Sequence, residues 1–204
     1  MDRKLLIAAA LFGAGVFAYA FWPETLLHGI RIETESSAEY DRYRDYGAWV
    51  TKDCMSTRMT VLRDESDPDQ VQIRRRENGT CEVFAGQWLD PYTNTVITVP
   101  WVLDIDHLVP LKEAHQSGAY TWPQSKRVEY ANYLADEWHL LAVSASENRR
   151  KGDKDPAQWL PPNSEFVCTY LANWIRIKRK WDLSMDTAEA AAITTQWEQR
   201  GCEK

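Results

Sequence analysis

The sequence has no internal repeats, no low-complexity segment and no pair of cysteines at CxxC spacing. These absences exclude a repeat array and the tightly spaced ligands of a common structural zinc site. A basic overall charge is also missing, because 24 Lys and Arg residues face 30 Asp and Glu residues, for a formal net charge of −6. A binding mode that depends on a positive charge spread over the whole protein is therefore excluded as well.

The composition is sufficient for a packed core. The chain has 204 residues, of which 44% are hydrophobic and ten are tryptophan, and this length suits one domain plus an appendage. The appendage is residues 1–22, a short basic start followed by an apolar run over residues 5–22 with a small-x-small triplet at residues 18–20. This pattern predicts a signal peptide or an N-terminal membrane anchor, and export in either case.

Residues 23–52 are polar and acidic without a clear period, which predicts a tether with one short helix near residues 37–50. Residues 53–204 are predicted to be the folded domain. Strands are expected at residues 71–75, 81–88 and 96–99, with Asn78 and Gly79 as a type I′ hairpin turn between the first two. Helical spacing predicts helices at residues 112–118, 123–134, 166–181 and 186–200. The fold class predicted is α+β.

Four cysteines, an even number, indicate disulfides in an exported domain. We expect Cys54 to pair with Cys81 across the first hairpin, and Cys168 to pair with Cys202 between the last two helices. Four cysteines allow three connectivities, and free thiols are the alternative.

The most informative stretch begins at Asp104 and ends at Gly152. It opens with DIDHLVPL, in which acidic and apolar residues alternate before a proline, as in a strand that runs into a loop. This places Asp106 and His107 at a strand end. The stretch closes with LLAVSASENRRKG, an apolar run followed by a capping box of Ser144 and Glu147 that predicts a short helix.

The two segments together resemble the HNH endonucleases of the His-Me finger superfamily, whose active site is a ββα-metal motif. The resemblance is closest to a secreted branch related to the C-terminal domain of GmrSD-type enzymes, in which DxDHxxPL precedes W-x-x-L-x-x-VSASxNRxKGDKDPxxWLPP. It implies a ββα-metal core with a small antiparallel sheet and surrounding helices. It also implies an exported, metal-dependent endonuclease that cleaves DNA, with RNA as an alternative, and has little sequence specificity.

The resemblance assigns a role to each motif residue. His107 is the general base, which suits an imidazole with an unperturbed pKa of about 6.5. Asp106 and Asn148 hold one divalent metal through oxygen, Mg²⁺ in the first place and Mn²⁺ as an alternative. The middle position of the family motif falls on His139, which either orients the catalytic imidazole or is a packed core histidine. Glu113 is expected to support the site without touching the metal.

Charge is unevenly placed, since residues 144–181 carry eight basic and four acidic residues. We expect this region to contact substrate phosphates through Arg149, Arg150 and Lys151. Arg127 is a further candidate, or it pairs with a nearby carboxylate.

Two other functions stay open. One is a binding module that has kept the fold and lost catalysis, and the other is a metal-dependent phosphodiesterase that acts on a substrate smaller than nucleic acid. The expected partner is nucleic acid, with the membrane as a second partner only if the N-terminal segment is not cleaved. The chain is expected to be a monomer.

Overall fold

Residues 26–202 are described by the structure, a computed structural model. The α-helices of this part are α1 (Arg42–Tyr46), α2 (Thr57–Asp64), α3 (Leu111–Gln116), α4 (Gln124–Ala131), α5 (Ala145–Lys151), α6 (Val167–Lys180) and α7 (Thr187–Arg200). The strands are β1 (Thr51–Lys52), β2 (Met55–Ser56), β3 (Gln72–Arg75), β4 (Cys81–Ala85), β5 (Trp88–Asp90), β6 (Thr95–Ile97), β7 (Leu103–His107) and β8 (Leu140–Ser144). They pair as four antiparallel two-stranded sheets, β1–β2, β3–β4, β5–β6 and β7–β8. The α+β prediction is confirmed.

The last strand pair and the helix after it form a ββα unit. In β7–β8, Asp104 lies opposite Val143 and His107 lies opposite Leu140. The helix α5 starts directly after β8 and ends at Gly152, whose φ of 58° favours glycine and whose N–H donates to the Asn148 carbonyl at 2.8 Å. The predicted capping box is wrong, because the Ser144 hydroxyl bonds to the Ser146 hydroxyl and makes no helix-capping bond.

Two apolar clusters flank this unit. The smaller one places Leu103 and Ile105 of β7 against Leu62 and Trp88. The larger one is built around α6, whose apolar residues recur at helical spacing and bury Trp174 and its neighbours against α4 and α7. Because burying one such large side chain contributes about 1.5–3 kcal/mol, these clusters fix where β7 and α5 lie.

The hairpin β3–β4 has a different turn and a shorter second strand than expected. A type I′ turn needs positive φ at two central residues, whereas Gly79 has a φ of 84° and Asn78 has no positive φ. The strand expected at residues 81–88 is divided into β4 and β5 at Gly86. A Cβ at Gly86 would lie 2.5 Å from the Trp88 ring, so this glycine lets the indole pack against the backbone.

Both predicted disulfides are confirmed. Cys54 pairs with Cys81, and Cys168 pairs with Cys202, with Cα–Cα distances of 5.0 and 5.4 Å. The first joins the region of β2 to β4, and the second joins the start of α6 to the second residue after α7. A disulfide of this kind stabilises a domain by about 2–4 kcal/mol.

The segment predicted to be a polar tether packs on the domain where the structure describes it, so that prediction needs correction. The N–H groups of Glu33 and Ser36 donate to the carbonyls of Met185 and Gln116, both at 2.9 Å. Tyr46, at the end of α1, is fully buried in the larger cluster. Aromatic anchors and backbone hydrogen bonds hold this segment without any sequence period.

The segment predicted to be a signal peptide or anchor, residues 1–22, lies outside the described residues. Between residues 26 and 202, no helix has the length and apolar character needed to cross a membrane.

Candidate active site

His107 stands at the end of β7 with one ring nitrogen fixed. Its Nε2 lies 2.9 Å from the carbonyl oxygen of Ala131, the last residue of α4. A carbonyl oxygen only accepts hydrogen bonds, so Nε2 carries the hydrogen and Nδ1 keeps the free lone pair in the neutral ring. Between residues 26 and 202, Nδ1 forms no hydrogen bond. The ring therefore presents a proton acceptor of defined direction.

An indole covers the His107 ring. Trp49 stacks on it with ring centroids 5.3 Å apart and planes 6° from parallel, and the Arg42 guanidinium lies 5.2 Å from the Trp49 ring centroid. Burial, followed by the positive charge of Arg42, lowers the pKa of His107 well below its usual range. The imidazole is accordingly neutral at physiological pH.

Asp106 has different partners from those expected. Its Oδ2 accepts from the Tyr92 hydroxyl at 2.5 Å, and its Oδ1 accepts from the Lys151 ammonium at 2.8 Å. Lys151 also donates to the His107 carbonyl at 2.9 Å. Burial raises the pKa of Asp106 and lowers that of Lys151, while their mutual attraction opposes both shifts. An ammonium thus occupies the place beside Asp106 that a metal was expected to take.

Lys151 was expected to contact substrate phosphate, and the structure corrects this. Its side chain is 0% exposed and points inward from α5. Asn148 and Lys151 are three residues apart, so they lie on the same face of the helix, which is turned towards β7. Lys151 therefore holds the end of β7 from inside.

Asn148 meets Asp104 instead of Asp106. Its amide nitrogen lies 3.3 Å from Asp104 Oδ2, and both side chains are partly buried. Alternation along β7 puts Asp104 on the same face as Asp106, one step nearer to the start of the strand. A carboxylate and an amide therefore stand together at the edge of the ββα unit, where they remain accessible.

His139 lies one residue before β8 and is 1% exposed. Its Nε2 is 2.8 Å from the Tyr130 carbonyl, next to the Ala131 carbonyl that holds His107. Burial lowers the pKa of His139 to about 4. Both roles expected for His139 fit this geometry, because the ring is packed in the core and the two imidazoles bond consecutive carbonyls at the end of α4.

A family model described as the C-terminal domain of GmrSD restriction endonucleases matches residues 58–196. An uncharacterized secreted protein of Arthroderma benhamiae is 36% identical over 173 residues, which cover 84% of this chain and 81% of that protein. The chain belongs to the GmrSD C-terminal domain family. No solved structure matches it. Its ββα unit is therefore that of a nuclease-type domain.

In this member of the family, the surface basic residues differ in availability. Arg149 is exposed, and the side chain of Arg150 is 73% exposed although it forms an ion pair with Glu147. Arg127 is committed elsewhere, since its guanidinium donates to the carbonyls of Asp45 and Trp122. Of the expected phosphate contacts, Arg149 and Arg150 remain possible, and Arg127 instead ties α4 to α1.

Glu113 belongs to a separate buried network. It accepts hydrogen bonds from Lys178 and from the Ser117 hydroxyl, and it makes no hydrogen bond to Asp106, His107 or Asn148. Glu113 is a buried residue of α3, and its expected supporting role at the site stays a prediction.

Three residues at this site were missed from the sequence. Asp104 was quoted as part of the motif without a role, although DxD in a strand places both carboxylates on one face. Tyr92 follows β5 in a turn, and Trp49 lies in the acidic segment before β1. No pattern in the sequence links Tyr92 to Asp106 or Trp49 to His107.

Proposed function

We propose that the chain is an exported, metal-dependent endonuclease that hydrolyses phosphodiester bonds with His107 as the general base. The carrying observation is the hydrogen bond from His107 Nε2 to the Ala131 carbonyl, because it places the hydrogen on Nε2 and leaves Nδ1 as the proton acceptor. Membership of a family named for restriction endonucleases supports the same reaction class.

His107 acts by taking a proton from the attacking water at Nδ1. Its lowered pKa keeps the ring neutral, and Trp49 prevents the ring from turning. Lys151 fixes the same strand end through the His107 carbonyl and the Asp106 carboxylate. General-base catalysis from a held group accounts for about 10²- to 10⁴-fold in rate.

Asp104 and Asn148 are the pair that fits a divalent cation. Their oxygens are hard donors of the kind that Mg²⁺ and Mn²⁺ take in proteins. Asp106 fits less well, since both of its oxygens already accept hydrogen bonds from Tyr92 and Lys151. When bound, such a cation stabilises negative charge that develops on a phosphoryl group.

Nucleic acid is the proposed substrate, with DNA first and RNA as an alternative. The exposed Arg149 and Arg150 lie on α5 beside Asn148, so they supply local positive charge in an acidic chain. Two disulfides support an oxidising compartment, and the Arthroderma benhamiae relative is described as secreted. These points favour export.

The test is cleavage of plasmid DNA by the His107→Ala variant. We expect a loss of about 10²- to 10⁴-fold with an unchanged circular dichroism spectrum. The wild-type rate should fall on acidification only at a pH below the ordinary imidazole pKa of about 6.5, and this limb should vanish in the variant. His28→Ala, which removes an exposed imidazole, is the matched control and should behave like the wild type.

Three outcomes contradict the proposal. Full activity in His107→Ala would assign the base to another group. No cleavage of DNA or RNA by the wild type with Mg²⁺ or Mn²⁺, combined with turnover of a small phosphodiester, would favour the phosphodiesterase alternative. No turnover of any of the three substrates would favour the inactive binding module.

A further inference from the structure

A groove reaches the residues that directly precede β7. Its volume is about 410 Å³, and its walls are α2, β3, β4 and the short 3₁₀ turn Pro100–Val102. Arg58, Arg74, Phe84 and Trp101 are among the residues that line it. The groove thus combines aromatic rings with guanidinium groups.

Trp101 is exposed to an unusual degree for its size. It is 76% exposed, although a tryptophan normally buries most of its surface in a core or an interface. In the same groove, the Arg74 guanidinium lies 5.2 Å from the Phe84 ring centroid. Aromatic rings in a groove that also carries guanidinium groups are what proteins use to stack bases of single-stranded nucleic acid.

Arg58 ties the groove to the start of the strand that carries Asp104. Its guanidinium donates to the Leu103 carbonyl at 2.7 Å and to the Pro100 carbonyl at 3.2 Å. Leu103 immediately precedes Asp104, and Trp101 lies three residues before Asp104. A chain of nucleotides with one phosphate at Asp104 would therefore pass Arg58 and reach Trp101 within a short distance.

The charge of the groove suits a polyanion. Among residues 26–202, Arg58 has no carboxylate within salt-bridge distance. Arg74 and Arg76 share one carboxylate, that of Glu82, with nitrogen–oxygen distances of 2.9 and 2.5 Å. The local surplus is positive even though the chain as a whole is acidic.

We propose that this groove binds an unpaired nucleotide of the substrate, with Trp101 stacking on its base. Arg74 and Arg76, which share the one carboxylate of Glu82, supply positive charge for the adjoining phosphates. Arg58 holds the carbonyls of Pro100 and Leu103 at the base of the groove. A base inside a duplex has no free face for Trp101, so the chain should bind unpaired strands better than duplexes. This inference rests on the proposed function, since it places the groove next to the scissile phosphate.

The test is equilibrium binding in the His107→Ala background with EDTA, measured by fluorescence anisotropy with labelled single- and double-stranded oligonucleotides. Trp101→Ala should weaken binding of the single strand by about 5- to 100-fold, and Trp101→Phe should retain part of it. Binding of the duplex should change by less than about twofold. Tyr43→Ala is the matched control, because Tyr43 is 77% exposed and does not line the groove.

The inference is overturned if adding Trp101→Ala leaves the affinity of His107→Ala for the single strand unchanged. It is also overturned if affinity for the single strand and for the duplex falls equally, or if His107→Ala binds no oligonucleotide. These outcomes are separate from those of the proposed function, because binding in EDTA involves neither the metal nor the base. If Trp101→Ala weakens binding of the single strand while His107→Ala still cleaves DNA normally, the groove is supported and the catalytic assignment is contradicted.

Discussion

Two fully buried lysines, Lys151 and Lys178, are both paired with carboxylates, but their surroundings differ in net charge. Lys151 faces one carboxylate, Asp106, and its other acceptor is the His107 carbonyl. Lys178 faces two, Glu113 and Glu189, and also donates to the Ser117 hydroxyl and the Ser184 carbonyl. The first arrangement is balanced, whereas the second has more negative than positive charge.

The excess of negative charge around Lys178 extends beyond the groups that it contacts. Three further carboxylates, those of Glu35, Asp155 and Asp186, lie within 4.8 Å of one another, and burial followed by the negative charge of Glu113 raises the pKa of Glu35. Burial raises the pKa of Glu189 to about 8, with Lys178 opposing the shift. Burial also lowers the pKa of Lys178, but the two carboxylates outweigh this and raise it. The balanced pair of Lys151 and Asp106 holds the candidate site in place. The unbalanced cluster around Lys178 contains carboxyl groups with raised pKa values.

Removal of each lysine is the strongest test of this comparison. Lys178→Met should lower the free energy of unfolding by about 3–5 kcal/mol, because it leaves buried carboxylates without their cation. Lys151→Met should cost less stability, since Asp106 keeps the Tyr92 hydroxyl, but it should reduce cleavage by freeing the end of β7. Urea denaturation measures the first effect and plasmid cleavage the second.

Lys154→Met is the control for both lysines, because Lys154 is exposed. An equal loss of stability in the two buried variants would mean that the number of carboxylates facing a lysine does not decide its contribution.

The next effect concerns which aspartate holds a cation. If Lys151 occupies the place beside Asp106, Asp104→Asn should weaken Mn²⁺ binding by at least about tenfold, and Asp106→Asn should change it less. Isothermal titration calorimetry at a temperature where both variants are folded gives the two affinities. A greater loss in Asp106→Asn would show that Lys151 moves away when metal binds, and it would restore the role that the motif implies.

The smallest expected effect is a pH dependence at the unbalanced cluster. Burial, with the Glu113 and Asp186 carboxylates adding and Lys178 opposing, raises the pKa of Glu35 to about 7. Between pH 4.5 and 7 the folded chain then binds more protons at Glu35 than the unfolded chain, so stability falls as pH rises through this range. Glu35→Gln should flatten this decline, as measured by Tm between pH 5 and 8.

Glu77→Gln removes an exposed carboxylate of the β3–β4 turn and should leave the pH dependence unchanged. A decline equally steep in Glu35→Gln would assign the protons to another carboxyl with a raised pKa, namely Glu189, Asp155 or Glu65.

The sequence predicted what local patterns determine. Alternation in DIDHLVPL located β7, and Gly152 marked the end of α5. Burial was harder to predict from the sequence, because it depends on which residues from elsewhere in the chain pack against a segment. The helical spacing shows that Asn148 and Lys151 share a face. It does not show that Asp106 lies where the Lys151 ammonium can donate to it inside the protein. Likewise, nothing local in residues 31–52 shows that Tyr46 and Trp49 fill space beside α4 and His107.

The cover over His107 also lies outside the part of the chain that the family model matches. That match begins at residue 58, whereas Trp49 and Arg42 lie upstream of it. A graft of residues 58–196 alone would carry the motif but leave the imidazole uncovered and its pKa free to rise. Transfer of this catalytic unit to another scaffold therefore requires the chain from about residue 31 onward, where the backbone first bonds to Met185.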